Sequence, residues 1–235
     1  MSDATPTARP ETTISGITVR VDETAVHVAG GRRLTTLSSA MVGGGFAEVH
    51  DIVNMHVEDV GEDSDPEREL RAFVAGLGVA SPFVGLMTAA STRNARLSEA
   101  SQGGLTVATV VSVGLSNREC AGASLPADLP PGTINAIAVI DAELSPAAMV
   151  NAVITATEAK AMALADWDVR TAEGLPASGT STDAVVVACT GRGAALDYAG
   201  PATTVGWLVA RTIRDAIDRI CREQVARDGG HRIGW

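Results

Sequence analysis

Between Gly132 and Cys189, two apolar runs of strand length bracket one strongly patterned helix, and this unit fixes most of what the chain can fold into. The first run, Thr133 to Ile140, sets a threonine directly after a glycine at the head of a strand. Ser145 and Pro146 then mark a helix start: the serine hydroxyl can accept the first free N–H groups, and proline brings the φ that the first helical position needs. The helical pattern runs on to about Asp166. A turn of small and hydroxyl residues, Ser178 to Asp183, leads into Ala184 to Cys189, apolar throughout and so read as a buried strand. Strand, helix, loop and strand bring two hydroxyl-rich edges together.

The rest of the chain supports an α/β reading. Ile14 to Val21 and Ala25 to Val28 alternate as a hairpin turning at Asp22-Glu23-Thr24, and Arg32 to Ser38 follows the Gly30-Gly31 turn as a third strand. Three glycines, Gly43 to Gly45, come next; with no Lys-Ser/Thr after them they are not a nucleotide P-loop, and either a plain turn or exposed backbone donors for a ligand fits. Asp65-Pro66-Glu67 caps a helix to about Gly76, Val84 to Met87 is a short strand ending at Thr88, and Thr106 to Leu115 is a central strand ending at Ser116-Asn117. A last helix, from about Val205 to Arg227, carries Leu208, Val209, Ile213, Ala216, Ile217 and Ile220 on one face. Residues 1–13 read as a disordered leader, 14–228 as a single domain, and 229–235 as a tail.

With 28 acidic against 18 basic residues, a net charge of −10 and no Lys/Arg cluster, nucleic acid and anionic membrane surfaces are not expected partners. No run has the length of a membrane span and the first residues lack a signal-peptide pattern, which predicts a cytoplasmic protein. Cys120, Cys189 and Cys221, odd in number and widely spaced, predict free thiols.

On the central helix, Val150, Val153, Ile154, Ala161 and Leu164 make an apolar stripe with Thr157 among them. Lys160 lies within that stripe and Glu158 at its edge, so the lysine either snorkels to water or points into a polar cavity. Each polar candidate also has a plain structural reading. Thr133 is an ordinary β-branched strand residue, Asn117 a turn former, and Thr180, Thr182 and Asp183 a hydroxyl/Asx turn before a strand.

Several runs resemble the adenosylcobinamide amidohydrolases, enzymes of corrinoid salvage: GTINAIAVIDAELSP, VITATEAK, GTSTDAVVVA, LSSAMVGGGF, VGLMTAA, VSVGLSN and YAGPATTVG, in order from about Leu37 to Ile213. Val42-Gly43-Gly44 stands where that family is expected to show LNGG, and Ala202 where it often has histidine. The resemblance implies hydrolysis of adenosylcobinamide to adenosylcobyric acid and aminopropanol, with no cofactor because the cobalt arrives in the substrate, and a homo-oligomeric protein. A corrinoid-storage protein without catalysis and an amidase for peptide-like substrates are the alternatives.

Amide hydrolysis uses a metal-bound hydroxide, a carboxylate pair or a protein nucleophile. A zinc site needs three convergent ligands, and His27, His50, His56 and His231 do not form such a pattern; His50 and His56, six apart, would point from different faces of a helix. The same central stretch is more distantly similar to the nucleophile half of the DmpA-type aminopeptidases and ornithine acetyltransferases, whose precursors break before a Ser or Thr at this place. That likeness implies packed sheets between helix layers (αββα-like), and Thr133 as a nucleophile whose own α-amine, with a pKa near ~8, takes the hydroxyl proton. The likeness extends to VSVGLSNRECAG and so to Asn117 as an oxyanion donor; from their places at strand ends, on the helix stripe and in turns, Thr88 is a second candidate donor, Lys160 or Glu158 a base should the chain stay intact, and Gly43, Gly44, Asn135, Thr180, Thr182 and Asp183 candidate substrate-binding positions.

Overall fold

The computed structural model describes residues 11–58, 64–127, 132–193 and 195–227. Twelve strands and three α-helices follow in the order β1 (Ile17–Val21), β2 (Ala25–Ser38), β3 (Gly45–His56), α1 (Pro66–Gly76), β4 (Val84–Thr88), β5 (Arg96–Gln102), β6 (Leu105–Val113), β7 (Arg118–Glu119), β8 (Ile134–Ile140), β9 (Glu143–Leu144), α2 (Pro146–Asp166), β10 (Gly179–Thr180), β11 (Ala184–Cys189), β12 (Ala195–Leu196) and α3 (Thr204–Arg227). Eight strands form one mixed sheet, β4-β3-β2-β11-β8-β6-β5 with β1 on β2; β3/β4 and β8/β11 are its parallel pairs.

This sheet folds over on itself. In a flat sheet with strands about 4.8 Å apart, β3 and β8, three ladder steps from each other, would be separated by roughly 14 Å. Yet the Asn135 amide donates to the Asn54 amide oxygen at 2.9 Å. The corner is made by β2, whose residues 26–30 pair with β1 while Thr35 to Ser38 pair with β11. Between those two pairings lies a bulge: the register with β3 jumps between Ala29 and Leu34, the device by which a strand leaves one layer for another.

Side-chain alternation then sorts the residues into layers. Ile52, Val110, Ile137, Val139, Val186 and Ala188 fill the space between the two halves of the sheet. Their alternates Val107, Val111, Ala136, Ile140, Val185 and Val187 face α2 and α3, and Val53 and Met55 face Leu70 and Val74 of α1. The order helix, sheet, sheet, helices is the layering expected.

The helices α1 and α2 begin where their caps predict. Asp65 Oδ1 accepts from Arg68 N–H and Ser145 Oγ from Ala148 N–H, each with proline at the first helical position. The buried face of α2 differs from the expected stripe. Val150 and Ile154 are about half exposed, while Ala148, Ala152, Ala156, Ala159 and Ala163 are buried. Alanines let α2 sit close to the sheet and α3, while Met149 and, of the expected stripe, Leu164 are also buried.

β3 and β5 were not expected, and the third strand is the second half of β2. His50 and His56 therefore sit on a strand and not on a helix; His50 Nδ1 meets Gly30 O and His56 Nδ1 meets Thr88 O, each at 3.2 Å. Thr13 is not part of a free leader, since its N–H reaches Glu99 Oε2 at 3.0 Å; residues 1–10 and the tail 229–235 lie outside the described residues. No helix among the described residues is long and apolar enough to cross a membrane.

Candidate active site

Thr133 stands one residue before β8, at the edge where the two sheet layers meet, and its main chain is fixed on both sides. Gly114 N–H donates to Thr133 O at 2.9 Å. The next amide, Ile134 N–H, donates to Asp183 Oδ1 at 2.9 Å. The Thr133 hydroxyl faces two acceptors, Thr182 O at 2.8 Å and Asn135 Oδ1 at 3.1 Å, which share its single proton. In return Thr182 Oγ1 donates to Gly132 O at 2.9 Å. The Gly132–Thr133 peptide is thus clamped between reciprocal contacts with Thr182.

Gly132 is closely approached by two side chains. A Cβ there would come within 2.5 Å of Ser116 Oγ and 2.8 Å of Asn117 Oδ1. Asn117, 5% exposed, donates from Nδ2 to Ser181 Oγ at 2.9 Å.

These residues open on a cleft of about 720 Å³, within the usual range for small-molecule sites. Its polar wall is Asn117, Thr133, Asn135, Ser181, Thr182, Thr88 and Ser39; its apolar wall is Met41, Met87, Leu86, Val57 and Pro66 with alanines between. No histidine, cysteine, lysine, arginine or carboxylate is among the described residues that line it. Of the expected positions, Thr133, Asn117, Thr88, Asn135 and Thr182 are brought together here.

The others are placed differently. Lys160 is buried and turned inward, not snorkelling, with its Nζ on Asp183 Oδ2. Asp183 also accepts from Thr180 N–H at 3.1 Å and from the Thr180 hydroxyl. Lys160, Thr180 and Asp183 therefore form a clasp behind Thr133, outside the cleft lining. A Cβ on Gly179 would come within 2.4 Å of the lysine nitrogen, so that glycine belongs to the same unit. Glu158 is exposed on α2 and does not line the cleft. Gly43 and Gly44, for which a plain turn and exposed backbone donors both fit, sit in a closely packed turn and are not among the described residues lining the cleft. Gly43 has φ of +67°, and a Cβ on it would lie 2.4 Å from Phe83 O; a Cβ on Gly44 would lie 2.4 Å from Ala40 O. The turn carries Ser39, Ala40 and Met41 to the cleft.

Behind the polar wall runs a buried network that the sequence did not reveal. Asn135 Nδ2 donates to Asn54 Oδ1 and to Met87 O, both at 2.9 Å, and Asn54 Nδ2 donates to Ser112 Oγ at 3.0 Å. The available signal was a lone polar residue on the inward side of each apolar run: Asn54 in IVNMH and Ser112 in VVSVG. Among the described residues no three His, Cys, Asp or Glu side chains are grouped as metal ligands; His27 Nε2 is paired with Asp51 Oδ1 at 2.7 Å.

Comparison with known proteins agrees with the sequence runs. Residues 10–229 match the family model described as adenosylcobinamide amidohydrolase. A protein of Methanosarcina mazei named adenosylcobinamide amidohydrolase is 32% identical over 184 residues, covering 74% of this chain and 84% of its own length. One of the same name from Halobacterium salinarum is 37% identical over 143 residues, 56% of this chain and 55% of that protein, so the chain spans about half of this relative's length. Among solved structures, the PH0078 protein from Pyrococcus horikoshii OT3 superposes with a TM-score of 0.45 at 14% identity, covering 87% of this chain and 79% of that one.

Proposed function

The chain belongs to the adenosylcobinamide amidohydrolase family, and from that premise we propose that it hydrolyses the amide joining a corrin side chain of adenosylcobinamide to aminopropanol, with Thr133 as the nucleophile. Adenosylcobyric acid and aminopropanol are the products of that reaction, and the cobalt is substrate. The apolar wall at Met41, Met87 and Leu86 suits the aliphatic edge of a corrin ring. The polar wall suits the amide arm.

One observation carries the mechanism: a hydroxyl sits in the cleft with no ionisable side chain among the described lining residues to take its proton. Lys160 is committed to Asp183 and Glu158 is outside the lining. The base is then the α-amine of Thr133 itself, set free when the Gly132–Thr133 bond breaks. In that step Thr133 Oγ attacks the Gly132 carbonyl carbon, whose oxygen already accepts the Thr182 hydroxyl. The C–N bond breaks, the nitrogen takes the hydroxyl proton, and water hydrolyses the resulting ester.

Turnover repeats the chemistry on the substrate. The amine, with a pKa of about 8, takes the Oγ proton as Oγ attacks the side-arm carbonyl. Asn117 Nδ2 and the Thr88 hydroxyl are the donors available to the oxyanion. Aminopropanol leaves with the proton, and water releases the corrinoid acid from the acyl-enzyme.

Mass spectrometry of the purified protein, together with aminopropanol release from adenosylcobinamide, tests this reading. Fragments divided between Gly132 and Thr133 are expected, with activity lost in Thr133→Ala and partly kept in Thr133→Ser. An intact chain of full activity removes the self-cleavage step, and wild-type turnover in both variants removes Thr133 as nucleophile. Binding of the corrinoid without release would make this a storage protein. We also propose that a second copy of the chain covers the exposed Val150 and Ile154 of α2 and Trp207 of α3; a monomer by light scattering would refute that.

A further inference from the structure

We propose that the bulge at residues 30–33, together with Arg192, forms a second binding site, for a phosphate-bearing small molecule, at the end of the sheet away from Thr133. The bulge sets four residues of β2 against His50 alone on β3, because Ala29 pairs with Asp51 and Leu34 with Val49. Bulges of this kind re-aim side chains. This one closes only with glycine at 30, where a Cβ would come within 2.5 Å of Arg32 O. Its effect is to carry two adjacent arginines, Arg32 and Arg33, out of the ladder to the rim of a cavity of about 360 Å³, which Arg192, Thr190 and Ser15 also line.

Charge distinguishes this cavity from the rest of the molecule. The chain carries a net charge of −10, and several of its arginines are neutralised by carboxylates, among them Arg71, Arg170, Arg211, Arg214 and Arg222. Arg32 and Arg33 make no hydrogen bond or ion pair among the described residues. Arg192 is fixed by Asp141, which accepts from its Nε at 3.0 Å and its Nη2 at 2.7 Å. Asp141 neutralises Arg192, and no carboxylate is among the described residues that line the cavity itself, so the site keeps an excess of positive charge that suits a dianion. Guanidinium groups match phosphate oxygens with directed N–H donors. The volume, at the low end for small-molecule pockets, admits a phosphate with a modest organic group attached.

The site is distinct from the cleft. Thr133 precedes β8, whereas Asp141 and Thr190 follow the far ends of the paired strands β8 and β11, which puts the length of a strand, roughly 20 Å, between them.

Isothermal titration of the full chain with inorganic phosphate and with adenosine monophosphate, in chloride buffer near physiological ionic strength, tests the proposal. Both probes are expected to bind at one saturable site, and Arg32→Ala/Arg33→Ala to weaken binding at least about tenfold with corrinoid hydrolysis unchanged. Because both arginines are exposed the double variant should fold, and Arg32→Lys/Arg33→Lys, which keeps the charge, should retain part of the affinity. Tighter binding of the nucleotide would show that an esterified phosphate is the preferred source, and equal binding that free phosphate suffices. Equal affinity in wild type and the alanine variant, or no saturable binding of either probe at millimolar concentration, overturns the site.

Discussion

Lys160 and Asp183 form a buried ion pair, each side chain 11% exposed, directly behind the start of β8. The carboxylate gathers donors from Lys160, Thr180 and the Ile134 amide, so it ties α2 and the β10–β11 turn to the strand that carries Thr133. Such a pair is costly to break from one side because the other charge stays buried. Lys160→Met is expected to lower stability by about 3–5 kcal/mol in urea unfolding. Lys160→Met/Asp183→Leu should cost less than the two single changes added together. A loss below about 0.5 kcal/mol in Lys160→Met would mean that the clasp does not hold the strand.

Asn54 and Asn135 are expected to matter both for stability and for turnover. Each amide is buried and hydrogen-bonded through both its nitrogen and its oxygen, and Asn135 Oδ1 is an acceptor for the Thr133 hydroxyl. Asn54→Ala leaves the Asn135 amide short of an acceptor, at a cost of about 1–3 kcal/mol. Aminopropanol release should fall with it, because Asn135 would be free to turn away from Thr133. Unfolding curves and turnover measured on the same preparation check this, and a stable but fully active variant would separate the network from the site.

How far the sequence could be read follows from how local each signal is. α1, α2, β4 and β11 lie within a residue of their expected bounds, since caps, proline and unbroken apolar runs act within a few residues. β5, RLSEASQ, was missed because an edge strand half open to water shows no apolar alternation. β3 was missed because its first half mixes exposed Phe46 and Glu48 with buried Val49 and so shows no clean alternation, while Val53 and Met55 are covered on one face and Ile52 on the other. Gly30-Gly31 resembled a turn and is a bulge, which only the partner strand's register distinguishes. The hydroxyl and amide residues of the cleft were legible as strand ends. Asn54 and Ser112 were not, because they meet Asn135 only once the sheet has folded over.

The cysteines give a test of the layering that is independent of activity. Burial pushes the Cys189 thiol up to about 12, and burial with the nearby Asp218 carboxylate does the same for Cys221. A raised thiol pKa means that thiolate is absent at every pH well below that value, and thiolate is the reactive form. At pH 8 iodoacetamide should modify only Cys120, which is partly exposed, and all three after unfolding in urea. Modification of Cys189 in the folded protein would show that β11 is not covered by α2 as described.

Asn117 offers the sharpest test of the cleft's chemistry. It comes after the end of β6, held by Ser181, with its side chain within 2.8 Å of where a Cβ on Gly132 would lie. In the role proposed for it, its amide would donate to an oxygen that becomes negative only as the carbonyl is attacked. Its removal should therefore slow the chemical step and leave binding nearly untouched. Asn117→Ala is expected to lower kcat about 100- to 1000-fold with KM changed by no more than about threefold, the pattern of a lost oxyanion donor. Asn117→Asp should be at least as slow, because a carboxylate of similar shape would repel the same oxygen. If self-cleavage at Gly132–Thr133 uses the same donor, both variants will also accumulate unprocessed chain, and mass spectrometry will show it. A rise in KM with kcat unchanged would instead assign Asn117 to ground-state binding of the corrin side arm, and Thr88 would then be the oxyanion donor to test.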